Sequence, residues 1–217
     1  SSVLAYQTAI ELDVAKHHPD AARRQQAQQW CALATPVLKS AWTDQAFHGA
    51  SDCLQVFGGH GYVREWGIEQ VVRDSRVAMI YEGTNEIQAQ DLLFRKVLPD
   101  RGEALSQVLD RLDAEVAPLA EAGHTAAQAA TLAREGVQRT RELLATLGTA
   151  TPEQTQHLYP VAGDFLRLTT LTLMAWALTR LAAASQGQHT VTLVAFQRWV
   201  WPEHAMRLGM VRAALAV

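Results

Sequence analysis

The sequence predicts an all-α fold, in which one antiparallel helical bundle is followed by a second helical bundle. Ala, Leu, Gln, Glu and Arg dominate the composition, and these residues favour helices. Apolar residues recur every three to four positions, as on one face of a helix. The periodic segments end at glycine and proline clusters. We therefore predict a first bundle over residues 1–98, a linker at Pro99–Gly102 and a helical extension over residues 103–217.

Two helices open the predicted first bundle. One covers Val3–Lys16 and ends in a turn at His17–Asp20, and the next covers Ala21–Phe57. Pro36 lies inside the second helix, where a proline removes a backbone donor and crowds the preceding turn. We therefore expect Pro36 to kink or divide this helix.

The helical pattern breaks at Gly58–Gly61, because each glycine in a helix interior costs about 1 kcal/mol relative to alanine. A short helix is predicted over Ile68–Arg73, followed by the apolar run Val77–Tyr81. Thr84 is a predicted N-cap, since its hydroxyl can accept a hydrogen bond from the first turn of a helix over Asn85–Val97.

Four helices are predicted after the linker, and short loops between helices are typical of an antiparallel bundle. The first helix ends at Gly123, the third is interrupted near Gly163, and the fourth is kinked at Pro202. The apolar stripe of the first helix is Leu105, Val108, Leu109, Leu112, Val116 and Leu119. The other three helices cover Thr125–Leu147, Thr155–Ser185 and Thr190–Ala216.

Composition and charge exclude several classes of function. Apolar residues make up 48% of the 217 residues and charged residues 19%, which predicts a folded chain. A net charge of −3 gives no basic excess for nucleic acid or an anionic membrane. The most apolar stretch, Phe165–Ala184, contains Arg167 and Arg180, so we predict a core helix and no membrane insertion.

The cysteines and the start of the chain give two further expectations. Cys31 and Cys53 are too few for a disulfide framework or a cysteine-rich zinc site, so no metal is expected and a reducing cytoplasm fits. The chain starts without Met and without a signal peptide, so we expect it to begin inside a longer protein.

Three features are candidates for chemistry. The Gly58–Gly61 turn could bring backbone N–H groups close to a phosphate, although a plain turn is the favoured interpretation from these residues alone. Glu82 precedes Gly83 and a helix start at Thr84, an arrangement that favours an ionised carboxylate open to a ligand. A single glutamate is, however, usually a solvated surface residue. Arg73–Asp74 is interpreted as a salt-bridged helix end.

Together these features resemble the signature of the acyl-CoA dehydrogenase family. The family pattern has a Q-x-F-G-G-x-G-Y/F turn, an R-D pair and an I-Y-E-G-T-x-x-I-Q segment. Here the three parts are Gln55–Tyr62, Arg73–Asp74 and Ile80–Gln88, in the same order and spacing. This resemblance covers about residues 1–98, while residues 103–217 are similar to the extra helical domain of long members such as the 3-methylmercaptopropionyl-CoA dehydrogenase type.

The resemblance implies an FAD-dependent enzyme of fatty acid β-oxidation that converts an acyl-CoA thioester to its trans-2-enoyl form. It implies that Glu82 takes the α-proton, that the β-hydrogen leaves as hydride to FAD, and that Gly83 leaves room for the thioester. The implied cofactor-binding positions are Gln55, Val56, Phe57, Gly58, Gly59, Thr84, Asn85 and Glu86.

The resemblance also implies partners. We expect an acyl-CoA substrate, a homodimer or homotetramer, and electron-transfer flavoprotein as the electron acceptor. In the family, the stretch matching Gln55–Gly59 reaches the ADP part of the flavin on a neighbouring subunit. The N-terminal helical and middle β-domains of the family have no counterpart in this sequence, so we expect the chain alone to be inactive.

Two other functions remain open at this point. A non-catalytic helical module could use residues 103–217 for oligomerisation, but it would not need an intact Glu82 motif. An acyl-CoA oxidase would share the chemistry and pass electrons to oxygen, which an oxygen-consumption assay detects. Oxidases of this kind usually differ around the base motif.

Overall fold

All regular structure in the described part of the chain is helical, as predicted. The computed structural model describes residues 2–121, 126–186 and 188–216. The α-helices in these ranges are α1 (Ser2–His17), α2 (Ala21–Phe57), α3 (Ile68–Ala78), α4 (Asn85–Gln90), α5 (Glu103–Val116), α6 (Ala127–Leu147), α7 (Pro152–His157), α8 (Ala162–Ala184), α9 (Thr190–Ala195) and α10 (Pro202–Leu215). Short 3-10 turns cover Gly58–Tyr62, Arg64–Trp66, Leu98–Asp100, Ala117–Ala120 and Tyr159–Val161, and π-helical turns cover Asp91–Val97 and Phe196–Val200.

One hydrophobic core includes residues from both halves of the sequence. Its buried members extend from Leu4 in α1, through Leu92 and Leu93 after α4, to Leu215 in α10. Helix α8 packs against α1, α2 and α4 and also against α5, α6 and α10. The helices before and after the Pro99–Gly102 segment are therefore joined by shared apolar contacts.

The burial of α8 matches the expectation of a core helix. The helical stretch Tyr159–Ala184 is long and apolar enough to cross a membrane, with a mean hydropathy of 1.2. However, 72% of its most apolar window is buried inside the protein. That degree of burial is typical of a helix whose apolar residues pack against other helices.

A close approach of α6, α8 and α10 depends on Gly136. A Cβ at Gly136 would lie 2.9 Å from Cη2 of Trp201 and 3.0 Å from Oγ1 of Thr172. His204 stacks on Trp201 with ring centroids 4.6 Å apart, and its Nε2 lies 3.1 Å from Thr172 Oγ1. His204 is fully buried, and its Nδ1 has no hydrogen-bond partner among the described residues. Burial and then the charge of Arg139 lower the pKa of His204 to about 4.

Pro36 does not divide helix α2. The helix is continuous from Ala21 to Phe57, and Pro36 is buried within it. Leu33 and Val37 on either side are also buried. Because this apolar packing offsets the loss of one backbone hydrogen bond, the helix continues through the proline. The predicted division is therefore wrong.

The segment between α2 and α4 differs from the prediction in length. Helix α3 runs to Ala78 instead of Arg73, and it packs against α2. The Thr84 N-cap is confirmed, since its Oγ1 accepts a hydrogen bond of 3.2 Å from the N–H of Ile87. The helix after it is α-helical to Gln90 and π-helical to Val97.

The helices of the second half occur in the predicted order, but some of them begin or end at other residues than predicted. The predicted stripe is buried from Leu105 to Val116, and Gly148 ends α6. The predicted ends at Gly123 and Thr125 lie outside the described residues. The third predicted helix breaks at Tyr159–Val161, because Pro160 starts a tighter turn there, and not at Gly163. The fourth contains a π-helical turn before Pro202, which is the first residue of α10.

Candidate active site

Glu82 lies on a strained turn between α3 and α4. Its φ angle is 53° and that of Gly83 is 84°, so both residues adopt the left-handed conformation. A non-glycine residue pays roughly 1–2 kcal/mol for this conformation. The N–H of Asn85 donates to the carbonyl of Met79 at 3.2 Å, and the side chain of Gln88 donates to the carbonyl of Glu82 at 3.3 Å. These bonds hold the turn in its unfavourable shape.

The Glu82 carboxylate is exposed beside exposed apolar side chains. Ile80, Tyr81 and Ile87 are each more than half exposed, at 51%, 55% and 52%. Exposed apolar side chains in one patch indicate a surface that contacts another molecule or domain. Glycine suits position 83 because of its φ angle of 84°, whereas the nearest atom to a Cβ there, Nε2 of Gln88 at 2.9 Å, belongs to the end of a side chain that can move.

The first turn of α4 holds the other residues predicted next to Glu82. The Thr84 hydroxyl caps the helix as an acceptor, which leaves its hydrogen free to donate. The side chain of Glu86 is exposed. The side chain of Asn85, in contrast, is occupied by contacts with helix α2.

Asn85 is anchored to one face of α2 by three hydrogen bonds. Its Oδ1 accepts from Lys39 Nζ at 3.0 Å, and it lies 3.0 Å from Thr43 Oγ1, whose one hydroxyl hydrogen it shares with the carbonyl of Lys39 at 2.8 Å. Its Nδ2 donates to the carbonyl of Ser40 at 3.4 Å. Burial lowers the pKa of Lys39, while the carboxylates of Glu86 and then Glu82 act in the opposite direction. The Lys39 ammonium group is therefore within electrostatic reach of both carboxylates.

This anchor was not predicted from the sequence. Lys39 and Thr43 are four residues apart, so a helix places them on the same face. This spacing indicates that the two side chains could meet one common partner. The sequence does not show which residue they meet, because Asn85 is more than forty positions away.

A cavity of about 790 Å³ opens beside the anchor. Ser40, Asn85 and Glu86 line part of it, and Arg167 and Arg207 from the second half of the chain line another part. Both arginines form ion pairs, with Glu203 and Asp164 as their partners. The size lies within the range of small-molecule sites, which is about 300–1,000 Å³.

The glycine-rich turn forms the C-terminal end of α2. Gly58 has a φ angle of 60° and caps the helix, so its conformation requires glycine. Gly61 is buried, and a Cβ there would lie 2.8 Å from the carbonyl oxygen of Leu54. Gly59 has a different environment, since a Cβ at Gly59 would meet no described atom within 4 Å. Gly59 thus leaves an open path to the backbone.

Exposed apolar side chains surround this turn as well. Val56 is 87% exposed, and Phe57, Tyr62 and Trp66 are also exposed. The rings of Phe57 and Trp66 lie 6.2 Å apart, edge to face. An open glycine backbone beside exposed aromatic rings forms a candidate ligand-binding surface.

The structure brings together only part of the predicted cofactor site. Glu82, Gly83, Thr84, Asn85 and Glu86 are consecutive on one turn. The glycine-rich turn lies at the far end of α2, roughly 20 Å from Thr43 at a rise of about 1.5 Å per residue. The predicted cofactor-binding residues therefore fall into two separate regions. No cluster of three or more potential metal ligands occurs among the described residues.

Fold and motif together define the class, an all-α C-terminal domain of the acyl-CoA dehydrogenase type. Residues 5–96 match the family model described as the acyl-CoA dehydrogenase C-terminal domain. These residues contain α1–α4, the glycine-rich turn and the Glu82 turn. Residues 5–96 therefore form a domain of the acyl-CoA dehydrogenase family.

Relatives match beyond that domain. The chain is 34% identical over 189 residues to 3-methylmercaptopropionyl-CoA dehydrogenase of Ruegeria pomeroyi, covering 85% of this chain and 31% of the relative. It is 34% identical over 158 residues to a broad-specificity linear acyl-CoA dehydrogenase of Mycobacterium tuberculosis, covering 70% and 26%. A butyryl-CoA dehydrogenase of Syntrophomonas wolfei is 29% identical over 106 residues, covering 49% and 17%. The chain thus spans less than a third of the length of each of these relatives.

Proposed function

We propose that this chain is the C-terminal helical part of an FAD-dependent acyl-CoA dehydrogenase that converts an acyl-CoA thioester to its trans-2-enoyl form. The observation that carries the proposal is the exposed Glu82 carboxylate, held on a left-handed turn directly before α4. Because the chain spans 31% of its relative from Ruegeria pomeroyi, the remaining contacts to cofactor and substrate come from polypeptide outside these residues.

In this proposal Glu82 removes the α-proton of the thioester. That proton is weakly acidic, so the negative charge that develops on the thioester oxygen must be stabilised by hydrogen-bond donors. The backbone N–H of Glu82 makes no hydrogen bond within the described chain, and it can serve as one donor. Gly83 keeps the space beside the carboxylate open for the thioester.

The cofactor contacts are proposed at the two regions described above. Thr84 can donate its hydroxyl hydrogen to the flavin, and the open backbone at Gly59 can approach a phosphate. Val56 and Phe57 offer apolar surface to the adenine end. When bound, FAD supplies the acceptor for the β-hydride.

The test is the substitution Glu82→Gln in the assembled flavoenzyme. Glutamine preserves the size of the side chain and removes the proton acceptor. We expect FAD to remain bound and flavin reduction by acyl-CoA to fall by several orders of magnitude. Stopped-flow absorbance of the flavin measures both quantities.

Glu121→Gln is the matched control, since Glu121 is an exposed glutamate in the second half of the chain. It should reduce flavin at the wild-type rate. Near-normal flavin reduction by the Glu82→Gln enzyme would show that another group is the base.

We further propose that the chain assembles as a homodimer or homotetramer and passes electrons to electron-transfer flavoprotein. Support for self-association comes from large apolar side chains that remain exposed along α9, α10 and the π-helical turn between them. They are Val191, Val194, Trp199, Met206 and Met210. Exposed apolar surface of this kind is typical of an interface between proteins.

A further inference from the structure

The turn that carries Glu82 has few attachments to the rest of the protein. Its own bonds are local, from the N–H of Asn85 to Met79 and from Gln88 to Glu82. Its apolar residues Ile80 and Tyr81 are only about half covered, with exposures of 51% and 55%. The turn is held on one side by the end of α3, where the N–H groups of Ile80 and Tyr81 donate to the carbonyl of Val77, and on the other side by the start of α4.

The start of α4 is fixed to α2 through the Asn85 side chain. Two donors from α2, Lys39 Nζ and Thr43 Oγ1, each lie 3.0 Å from Asn85 Oδ1. Nδ2 of Asn85 returns a bond to the carbonyl of Ser40. With both ends of the amide engaged, the orientation of Asn85 is determined by α2.

The charge of Lys39 acts on the same turn. Its Nζ is held by Asn85, and it interacts with the carboxylates of Glu86 and Glu82. A cation at this position offsets part of the mutual repulsion between the two carboxylates. Hydrogen bonds that involve a charged group are about twice as strong as neutral ones.

We propose that Lys39 and Asn85 are positioning residues, which orient the Glu82 turn on helix α2. The inference rests on the proposed role of Glu82 as the base. It assigns the Asn85 side chain to the protein scaffold, because its hydrogen-bonding groups already have partners within the chain. Lys39 acts on Glu82 through Asn85 and through its charge, without contact to the reacting atoms.

The first experiment measures the turn itself in the 217-residue chain. NMR hydrogen exchange at the backbone amide of position 85 reports opening of the bond to Met79. In Asn85→Ala and Lys39→Met we expect exchange on the order of tenfold faster, because a charge-assisted anchor is lost. Lys16→Met is the matched control, since Lys16 is an exposed lysine on α1, and it should leave this rate unchanged.

The amide of Leu171 in the buried helix α8 reports on the whole fold. Its exchange should be the same in all variants. If Asn85→Ala does not fold, Lys39→Met still tests the inference. Unchanged exchange at position 85 in Lys39→Met would overturn it.

The second experiment separates positioning from catalysis in the assembled flavoenzyme. We expect Lys39→Met and Asn85→Ala to lower kcat at least tenfold with KM and FAD content near wild type, and Lys39→Arg to restore part of kcat. Loss of FAD in Asn85→Ala with unchanged exchange would instead make Asn85 a cofactor ligand and overturn the inference.

The two proposals fail in different ways. If Glu82→Gln is inactive while Lys39→Met and Asn85→Ala keep wild-type kcat, the positioning role is wrong and the base assignment survives. If Glu82→Gln reduces flavin normally, the base assignment fails, whatever exchange shows at position 85.

Discussion

Acid should destabilise this protein through His204. The side chain is fully buried, stacks on Trp201 and contacts Thr172 through Nε2. Burial and then the charge of Arg139 lower its pKa from 6.5 to about 4. Between these two values the unfolded chain binds a proton that the folded chain does not bind. Stability is therefore fully present above pH 6.5 and is lost progressively as the pH falls toward 4.

The size of the loss follows from the two pKa values. Proton linkage gives about 2 kcal/mol at pH 5 and about 3 kcal/mol at pH 4. Total stabilities of folded domains are about 5–15 kcal/mol, so an effect of this size is measurable.

Glu203, which precedes His204 in the chain, titrates in a lower range. Burial would raise the pKa of Glu203, but hydrogen bonds and charge from Arg167 and Arg207 bring it below the ordinary value of 4.5. The stability contributed by Glu203 is present above pH 4.5 and falls only below it. The interval from pH 7 to pH 5 therefore isolates His204 from this group.

The assay is urea unfolding at pH 7 and pH 5. The wild-type chain should lose about 2 kcal/mol between these values. His204→Gln can keep the contact with Thr172 and has no titrating ring, so it should avoid that loss. His157→Gln, at an exposed histidine, should lose as much as wild type. An equal loss in His204→Gln and wild type would refute the reasoning.

Two further predictions concern packing and assembly. Gly136→Ala should destabilise the chain by about 1–3 kcal/mol, because its Cβ would meet Trp201 at 2.9 Å. Gly209→Ala is the control, because Gly209 lies in a helix with open space around it, and it should stabilise the chain by about 0.5–1 kcal/mol. The urea midpoints of the two variants measure both effects. Equal midpoint shifts in the two variants would contradict the packing argument. If α9 and α10 form an interface between copies, Trp199→Glu should lower the oligomeric state in sedimentation velocity, while Glu121→Gln should not. An unchanged oligomer in Trp199→Glu would place the interface elsewhere.

Local signals predicted the helices well where backbone chemistry alone determines the structure. The Thr84 cap and the end of α6 at Gly148 follow from side-chain and backbone preferences within a few residues. The Pro36 division failed because distant helices supply the packing that keeps α2 continuous. The third predicted helix breaks at Tyr159–Val161 because of Pro160, whereas the prediction placed the break near Gly163.

The candidate site could be predicted only in part, for a similar reason. The motif around Glu82 is contiguous, so its residues could be identified from the sequence. The contact of Lys39 with Asn85 joins two distant helices, and no local pattern specifies that pairing. The left-handed conformation of Glu82 was also not expected, because glutamate does not favour it.

That conformation has an evolutionary consequence for position 82. Glycine and asparagine adopt the left-handed region more readily than glutamate does, so either residue would relieve the backbone. A glutamate retained at position 82 therefore keeps a residue type that its left-handed backbone conformation disfavours. In a descendant released from selection on the carboxylate, drift should soon bring glycine or asparagine to position 82. The residue found there in each lineage thus reports whether the carboxylate is still in use.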